Sequence, residues 1–408
     1  MRPDVDRHAV EMARALAAGI AARADAADRA GALPAEDVAA LRDAGYLALA
    51  VPVAYGGRGA SLLTCVAAQV ELAKGSASTA LVAAMQHQVV GHQRETRTWQ
   101  PAAYERIMAE AAAGGLLNHL GSEPQMGSPS RGGLPATTAT PGPDGERWLV
   151  NGHKTWCTGG RHLTHLLVRV RVGEEAGVVL VRQELAGVPG LQWIETWRDA
   201  MSLRASESHD AVFHDVSVPG HYLIERGEPQ ATPNVWFATM LSAVYLGTAL
   251  AARDAVIRYA LERTPTALGK PIATLPRIQR QIGEIDAGLQ AARALLFEVA
   301  GEWPVADDGA GEGDRAAFMA RIAAAKSVVS ATADAATEKA LQVAGGSAMT
   351  RALPLERYFR DVRPAAMQPP AGDTAYEMVG RRDPADASPT ADGRPRPDVD
   401  DRRLTTDH

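Results

Sequence analysis

LLVRVRV at residues 166–172 and GVVLV at residues 177–181 identify the middle of the chain as β-structure. Alternating β-branched and polar residues on both sides of a short turn are typical of paired antiparallel strands. AVFHDVSV at residues 211–218 repeats the pattern, and Asn151-Gly152 predicts a further turn between strands. These segments together predict an antiparallel β domain over residues 116–230.

Helical periodicity flanks this β domain on both sides. Residues 1–115 are rich in alanine, with Gly45 suited to a helix end and Ser61 suited to a helix N-cap, so we expect an N-terminal helical domain. Four further helical segments predict a bundle within residues 231–382: 236–262, 275–303, 316–344 and 373–381. Residues 383–408 lack aromatic residues and are crowded with Asp, Arg and Pro, which predicts a disordered tail.

Composition excludes several classes of protein. The 408 residues are 46 % hydrophobic and carry a net charge of -6 with scattered Lys and Arg, so no nucleic-acid partner is expected. The two cysteines, Cys65 and Cys157, are too few for a disulfide framework and indicate a reducing compartment. His87 and His92 are five residues apart rather than at the four-residue spacing of a helical ligand pair, so no metal is predicted.

The sequence also indicates a location. Asp4, Asp6 and Glu11 occupy the stretch where a signal peptide needs positive charge. A membrane span needs about 18 consecutive apolar residues with few or no charges. Every stretch of that length in this sequence contains a charged residue or a turn former. We therefore expect a cytoplasmic protein with no membrane partner.

Five motifs follow one another along this architecture. They are VP at 51–52 with YGGRG at 55–59, SEPQMGS at 122–128, NGHKTWCT at 151–158, QVAGG at 342–346 and PLERYFRD at 354–361. In this order they make the chain resemble the acyl-CoA dehydrogenase superfamily over residues 10–381. The resemblance implies an α+β, mainly α fold, with an N-terminal helical domain, a central antiparallel β domain and a C-terminal four-helix bundle. It also implies FAD as cofactor and a homotetramer.

The resemblance assigns the flavin-binding residues. A bound isoalloxazine ring needs hydrogen-bond partners for N5, O2 and O4, which small hydroxyls and backbone N–H groups supply. Ser122 corresponds to the family's flavin-contacting segment, Thr158 to the hydroxyl near N5 and Trp156 to the side chain packed beside the ring. Gly127 and Ser128 correspond to contacts with the flavin phosphate or the substrate. The alternative is that these are ordinary turn and strand residues.

The resemblance also places cationic and backbone donors at the flavin pyrophosphate. Arg263 belongs to one subunit, while Gln342, Gly345 and Gly346 arrive from a neighbour. The spacing from Arg263 to the next glycine is six residues rather than the family's four. Arg263 as a simple helix-terminal charge therefore remains an alternative.

The family's catalytic base is missing at the expected position. The usual Glu lies nine residues after the Arg of an Arg-Asp pair and twelve before the Arg that ends the last helix. Counted from Arg360 and from Arg381, both spacings lead to Pro369. The family's other base position, ten residues before Gly247, is Phe237. Neither position holds a carboxylate.

Three residues are candidates for a substitute acid or base. Asp373 and Glu377 would reach the flavin only if the preceding turn followed an unusual path, and we expect Asp373 to be the N-cap of the last helix and Glu377 to lie on its surface. His119 is the third candidate. The residues predicted to line the substrate pocket are Met85, Phe237 and Pro369.

A missing base favours chemistry that removes no α-proton. Reduced flavin with O2 transfers oxygen without that step, and branches of the superfamily without the Glu act as flavin monooxygenases. The sequence therefore predicts an FAD-dependent monooxygenase acting on a small organic or biosynthetic substrate, with FMN in place of FAD if a flavin reductase supplies reduced flavin. One alternative is a dehydrogenase of CoA or carrier-protein thioesters that uses a substitute base and an electron-transfer partner. The other is a non-catalytic subunit that completes a partner's FAD site.

Overall fold

The protein consists of helices, then one sheet, then helices, so the predicted fold class is confirmed. The computed structural model describes residues 5–126, 133–183, 187–227, 234–307 and 312–381. Gly127, Ser128 and the predicted disordered tail lie outside the described residues.

The N-terminal part is built of five helices: α1 (Arg7–Ala30), α2 (Ala35–Asp43), α3 (Leu62–Ala73), α4 (Ala77–Thr96) and α5 (Pro101–Ala112). The predicted boundaries hold, because Ser61 caps α3 by accepting a hydrogen bond from the Thr64 N–H at 3.2 Å, and Gly45 follows α2 with a φ of 72°. Every residue of α3 is buried. This helix therefore lies in the core rather than on the surface.

The central sheet has eight strands: β1 (Leu117–Leu120), β2 (Thr138–Pro141), β3 (Arg147–Cys157), β4 (His165–Val172), β5 (Glu175–Arg182), β6 (Leu191–Ile194), β7 (His209–Pro219) and β8 (Leu223–Arg226). Their order is β6-β7-β3-β2-β4-β5-β8, with β1 beside β4. Most neighbouring pairs are antiparallel, and the pairs β1–β4 and β2–β4 are parallel.

The predicted turn at Asn151-Gly152 is wrong, because β3 continues through both residues. The register against β7 shifts between Val150 and Gly152, which marks an irregularity inside the strand. The Asn151 Nδ2 donates a hydrogen bond to Asp215 Oδ1 at 2.8 Å, and a Cβ on Gly152 would lie 2.5 Å from Thr137 Oγ1. The glycine is therefore needed for close packing of neighbouring strands and not for chain reversal.

The C-terminal part is built of α6 (Val235–Glu262), α7 (Pro276–Asp307), α8 (Glu312–Ala344), α9 (Leu355–Asp361) and α10 (Gly372–Gly380). Helix α6 has the length and hydropathy of a membrane span, but 94 % of its most apolar window is buried inside the protein. It packs against α3, α4, α7 and α8 and is the central helix of the core.

Ion pairs join the C-terminal helices to the rest of the molecule. The Arg357 Nε lies 2.8 Å from Asp25 Oδ1, and the Arg360 Nη2 lies 2.7 Å from Asp28 Oδ2. The next residue, Asp361, is buried and accepts a hydrogen bond from the Leu203 N–H at 2.8 Å. Helix α9 therefore ties together α1 and the chain that leads into β7.

Candidate functional site

A sharp turn follows β3 and separates two neighbouring side chains. Trp156, Gly159 and Gly160 all have left-handed φ values, of 56°, 97° and 45°. As a result Trp156 is 57 % exposed whereas Thr158 is 7 % exposed. A large aromatic side chain held open to solvent by an uncommon backbone conformation is typical of a binding site.

Strand β1 and the segment after it lie against this turn. The Asn118 Nδ2 donates to the Thr158 carbonyl oxygen at 3.0 Å, and the Thr155 N–H donates to the Ser122 carbonyl oxygen at 3.0 Å. The structure therefore brings Ser122, Trp156 and Thr158 together, as the sequence predicts.

The hydroxyls at this turn have unused hydrogen-bonding capacity. The Thr158 Oγ1 lies 2.8 Å from Ser208 Oγ, which uses one of the three hydrogen bonds open to a hydroxyl. The buried Thr155 Oγ1 has no partner among the described residues. Buried polar atoms without partners are rare, so this pair of hydroxyls beside an exposed indole fits the polar edge and flat face of an isoalloxazine ring.

His119 lies on β1, close to the same group. Its side chain is exposed to solvent. Desolvation by neighbouring protein atoms and the positive charges of Arg169 and Lys154 lower the pKa of the His119 imidazole. The ring is therefore neutral at physiological pH and presents one N–H donor and one acceptor nitrogen.

A buried ion pair lies behind the turn. The Lys154 Nζ is 2.6 Å from Glu123 Oε1, and neither residue is exposed by more than 5 %. The same carboxylate accepts hydrogen bonds from the N–H groups of Ala136 and Thr137. Burial alone would raise the pKa of Glu123, but the bonds from Lys154 and Thr137 outweigh burial and hold the pKa well below its usual range. The motifs at 122–128 and 151–158 are therefore locked together by a charge pair.

The segment between α9 and α10 contains Pro369, the position at which the sequence analysis looks for the base. The Tyr245 hydroxyl of α6 donates to Gln368 Oε1 at 2.5 Å. The Lys326 Nζ of α8 donates to the carbonyl oxygens of Ala365 and Pro370 at 2.7 and 3.0 Å. Lys326 is 3 % exposed, and burial lowers the pKa of its ammonium group to about 8.

The two carboxylates of α10 are directed to solvent. The expectation that Asp373 caps this helix is wrong, because Ala371, with an extended backbone, is the N-cap and Asp373 lies inside the first turn. Asp373 is exposed, and Glu377 is exposed at 3.9 Å from Arg381 Nη2. The surface position predicted for Glu377 is confirmed.

Two of the predicted pocket residues, Met85 and Phe237, lie on α4 and α6, which pack against each other, and α4 also contacts β1. Asn234 caps α6 by accepting from the Phe237 N–H at 2.9 Å, and its Nδ2 donates to Gln88 Oε1 of α4 at 2.7 Å. Met85, one turn earlier on α4, is 8 % exposed, while Phe237 is half-buried. These contacts place the start of α6 beside the turn of α4 that carries Met85.

The predicted pyrophosphate residues form a separate group. The Tyr259 hydroxyl, one turn before Arg263, donates to Ser347 Oγ at 2.8 Å, so Arg263 shares one edge of the bundle with Gly345 and Gly346. Arg263, Gln342 and both glycines are exposed, and a Cβ on either glycine would meet nothing within 4 Å. Among the described residues, no hydrogen bond or ion pair joins this edge to Thr158 or Ser122.

Several residues at the site escaped the sequence analysis. They are Ser206, Ser208, Tyr245, Lys326 and Gln368. Each makes its contact with a residue far away in sequence or outside any motif, so no local pattern identifies it. Within the described part of the chain, no group of three or more His, Cys, Asp or Glu side chains is arranged to hold a metal ion.

Comparison with known families identifies three consecutive regions. Residues 4–118 match the acyl-CoA dehydrogenase N-terminal domain, residues 119–216 the middle domain and residues 239–368 the C-terminal domain. YdbM of Bacillus subtilis (strain 168), a protein assigned by name to the acyl-CoA dehydrogenases, is 36 % identical over 356 residues, which are 86 % of this chain and 90 % of YdbM.

Solved structures show the same fold. KijD3, determined with FMN and a dTDP-linked amino sugar, is 25 % identical with a TM-score of 0.77 and covers 91 % of this chain and 92 % of its own. The methanesulfinate monooxygenase MsuC of Pseudomonas fluorescens is 22 % identical with a TM-score of 0.78, over 91 % of this chain and 95 % of its own. At 22 % identity the likeness to MsuC concerns the fold alone.

Proposed function

Because this chain belongs to the acyl-CoA dehydrogenase family, whose members are flavin-dependent oxidoreductases, we propose that it is a flavin-dependent monooxygenase acting on a small organic substrate. The observation that carries the proposal is the segment between α9 and α10. Pro369 lies where the resemblance expects a base, and the acidic side chains that follow it on α10, Asp373 and Glu377, are exposed. A reaction that needs no carboxylate at this position suits the site better than α-proton removal does.

The residues of the turn after β3 would hold the flavin. Thr158 would contact N5, Trp156 would cover the ring, and Ser122 and Thr155 would meet the polar edge. When bound and reduced, the flavin supplies the electrons with which O2 is split between the product and water. The neutral His119 imidazole would hold or donate a proton at a ring nitrogen facing the cleft, without introducing a positive charge.

The segment with Pro369 would close the pocket over the substrate. Lys326 and Tyr245 fix this segment from two different helices, through three hydrogen bonds. A closed pocket excludes water and so prevents the side reactions of reactive intermediates with water. Met85 and Phe237 would contribute the apolar wall.

The exposed edge with Arg263, Gln342, Gly345 and Gly346 would bind the pyrophosphate of FAD in a neighbouring subunit. Arg263 would then act from the same subunit as the two glycines and not from the opposite subunit, as the sequence analysis expects. Among the described residues no hydrogen bond or ion pair joins this edge to Thr158, as expected if the edge serves the FAD of a neighbouring subunit in a homotetramer. FMN, which KijD3 holds, lacks that pyrophosphate bridge and would not need the edge. Two free, buried cysteines suit a cytoplasmic protein. A flavin reductase would supply the electrons.

The first experiment separates oxygenation from dehydrogenation. Purified protein loaded with FAD or FMN is mixed anaerobically with butyryl-CoA, hexanoyl-CoA or palmitoyl-CoA. We expect no bleaching near 450 nm with any thioester. After chemical reduction and admission of O2, we expect a long-lived absorbance that differs from both oxidised and reduced flavin. Bleaching by an acyl-CoA would contradict the proposal.

A thioester dehydrogenase is the second candidate, favoured by the 36 % identity to YdbM. His119 would then be the substitute base, since it lies next to Asn118, which contacts Thr158, and its side chain is exposed. His119→Gln would abolish bleaching by the thioester while flavin remained bound. If the protein retains no flavin until a related chain is co-expressed, it is a non-catalytic subunit and both candidates fall.

A further inference from the structure

Three buried hydroxyls form a chain that leads away from the turn after β3. The Thr158 Oγ1 lies 2.8 Å from Ser208 Oγ, which lies 2.7 Å from Ser206 Oγ. The exposed fractions are 7 %, 3 % and 0 %, respectively. Thr158 is the most exposed of the three and belongs to the turn of the candidate flavin site.

The backbone around the two serines is held in an uncommon shape. Leu203 and Glu207 have left-handed φ values of 52° and 45°, one on each side of Ser206. Asp361 accepts from the Leu203 N–H at 2.8 Å, and Glu207 Oε1 accepts from the Leu33 N–H at 3.3 Å. Such conformations persist only where surrounding contacts enforce them, and they cluster at functional sites. The side chains of Asp361 and Glu207 therefore help to hold the backbone that positions Ser206 and Ser208.

The hydrogen bonds among the three hydroxyls have one favourable donor-to-acceptor direction. If Ser206 donates to Ser208 and Ser208 donates to Thr158, every hydrogen inside the chain has an acceptor, and the Thr158 hydrogen points toward the site. In the opposite direction the Ser206 hydrogen needs an acceptor, and among the described residues its hydroxyl has no side-chain partner other than Ser208. A buried donor without an acceptor is unfavourable.

We propose that Ser208 is a positioning residue that fixes the Thr158 hydroxyl as a hydrogen-bond donor toward flavin N5. This inference rests on the proposed flavin function. Oxidised N5 is an acceptor, whereas N5 of two-electron-reduced flavin carries a hydrogen and is a donor. A Thr158 hydroxyl fixed as donor therefore binds oxidised flavin better than reduced flavin and lowers the midpoint potential of the bound flavin.

The test measures the dissociation constants of oxidised and dithionite-reduced FMN, and of FAD, under anaerobic conditions. Replacing Ser208 by alanine frees the Thr158 hydroxyl to accept. We expect S208A to raise the ratio of the oxidised to the reduced dissociation constant about fivefold, the effect of one hydrogen bond. That ratio corresponds to a rise in the two-electron midpoint potential of about 20 mV.

Two variants serve as controls. Ser202 is a buried serine of the same loop that is not one of the three hydrogen-bonded hydroxyls. S202A is therefore expected to leave the ratio of the two dissociation constants unchanged. In S206A, Ser208 still donates to Thr158, and the ratio is expected to stay within about twofold of wild type. If S206A changed the ratio as much as S208A, the effect would come from losing any buried hydroxyl and not from the donor direction of the Thr158 hydroxyl. The inference would then be overturned.

The outcomes separate the inference from the proposed function. Wild-type protein that binds flavin, with S208A showing an unchanged ratio, overturns the inference alone. Wild-type protein that binds neither FMN nor FAD overturns both. If S208A does not fold by circular dichroism, S208C replaces it, because a thiol keeps the volume but is a weak donor, and about half the shift in potential is expected.

Discussion

Two regions carry the predicted site residues, one on the sheet and one on the C-terminal helices, and they are built differently. On the sheet side, the turn with Thr158 is locked by a buried ion pair, a chain of hydroxyls and the amide of Asn118. On the helix side, a segment with Pro369 accepts hydrogen bonds from Lys326 and Tyr245, and the two carboxylates of α10 face solvent. If the proposed function is right, the sheet side holds the cofactor in a fixed geometry and the helix side determines which reaction the cofactor supports.

The largest expected effect tests the rigidity of the sheet side. Lys154→Met removes the cation and leaves the buried Glu123 carboxylate without its charged partner. We expect the free energy of unfolding to fall by about 3–5 kcal/mol, since breaking a buried pair leaves an uncompensated charge. Urea denaturation followed by circular dichroism measures the loss.

The control for this variant is Arg161→Ala, which breaks the exposed pair with Glu195. Exposed pairs contribute little because water screens them, so the urea midpoint is expected to stay nearly unchanged. If Lys154→Met were no more destabilising than the control, the sheet side would not be the rigid half of the site.

The helix side is tested by Lys326→Met. This substitution keeps most of the side-chain volume but removes both hydrogen bonds to the segment around Pro369. We expect a loss of about 2 kcal/mol in unfolding free energy, because buried carbonyl groups lose their donors. Limited proteolysis is expected to cut faster within residues 363–371. Lys339→Met, at an exposed lysine paired with Glu284, should do neither.

The pH dependence of Lys326 adds a signed prediction. Its pKa is lowered from 10.5 to about 8, so between these values the unfolded chain binds more protons than the folded protein. Stability therefore rises with pH across this window because a buried charge is relieved, with a slope of up to about 1.4 kcal/mol per pH unit from this group. We expect the stability difference between wild type and Lys326→Met to widen from pH 8 to pH 10. A constant difference would contradict the lowered pKa.

The sequence predicts the fold correctly, and its motifs select residues of β3 and the segment after β1 that lie together in the structure, while their role in binding flavin stays a prediction. Ser61 caps a helix through its own next turn, and Ser122 and Thr158 belong to motifs. Ser208 is different, because its partner Thr158 is 50 residues away and nothing in its neighbourhood marks the contact. Asn151-Gly152 misled the prediction for the same reason, since the bulge depends on side chains of other strands.

The smallest expected effect concerns the two carboxylates of α10 and decides whether the helix side has truly lost the base. Asp373→Asn and Glu377→Gln alter exposed side chains, so the urea midpoint should not move and turnover should stay within about twofold of wild type. His119→Gln is the comparison, since losing a general acid–base lowers turnover by about 100-fold or more. Turnover measured on the same substrate for all three variants decides the question. A 100-fold loss in Glu377→Gln would mean that α10 moves toward the flavin during the reaction. The two regions would then differ in mobility, and the helix side would still supply a catalytic carboxylate.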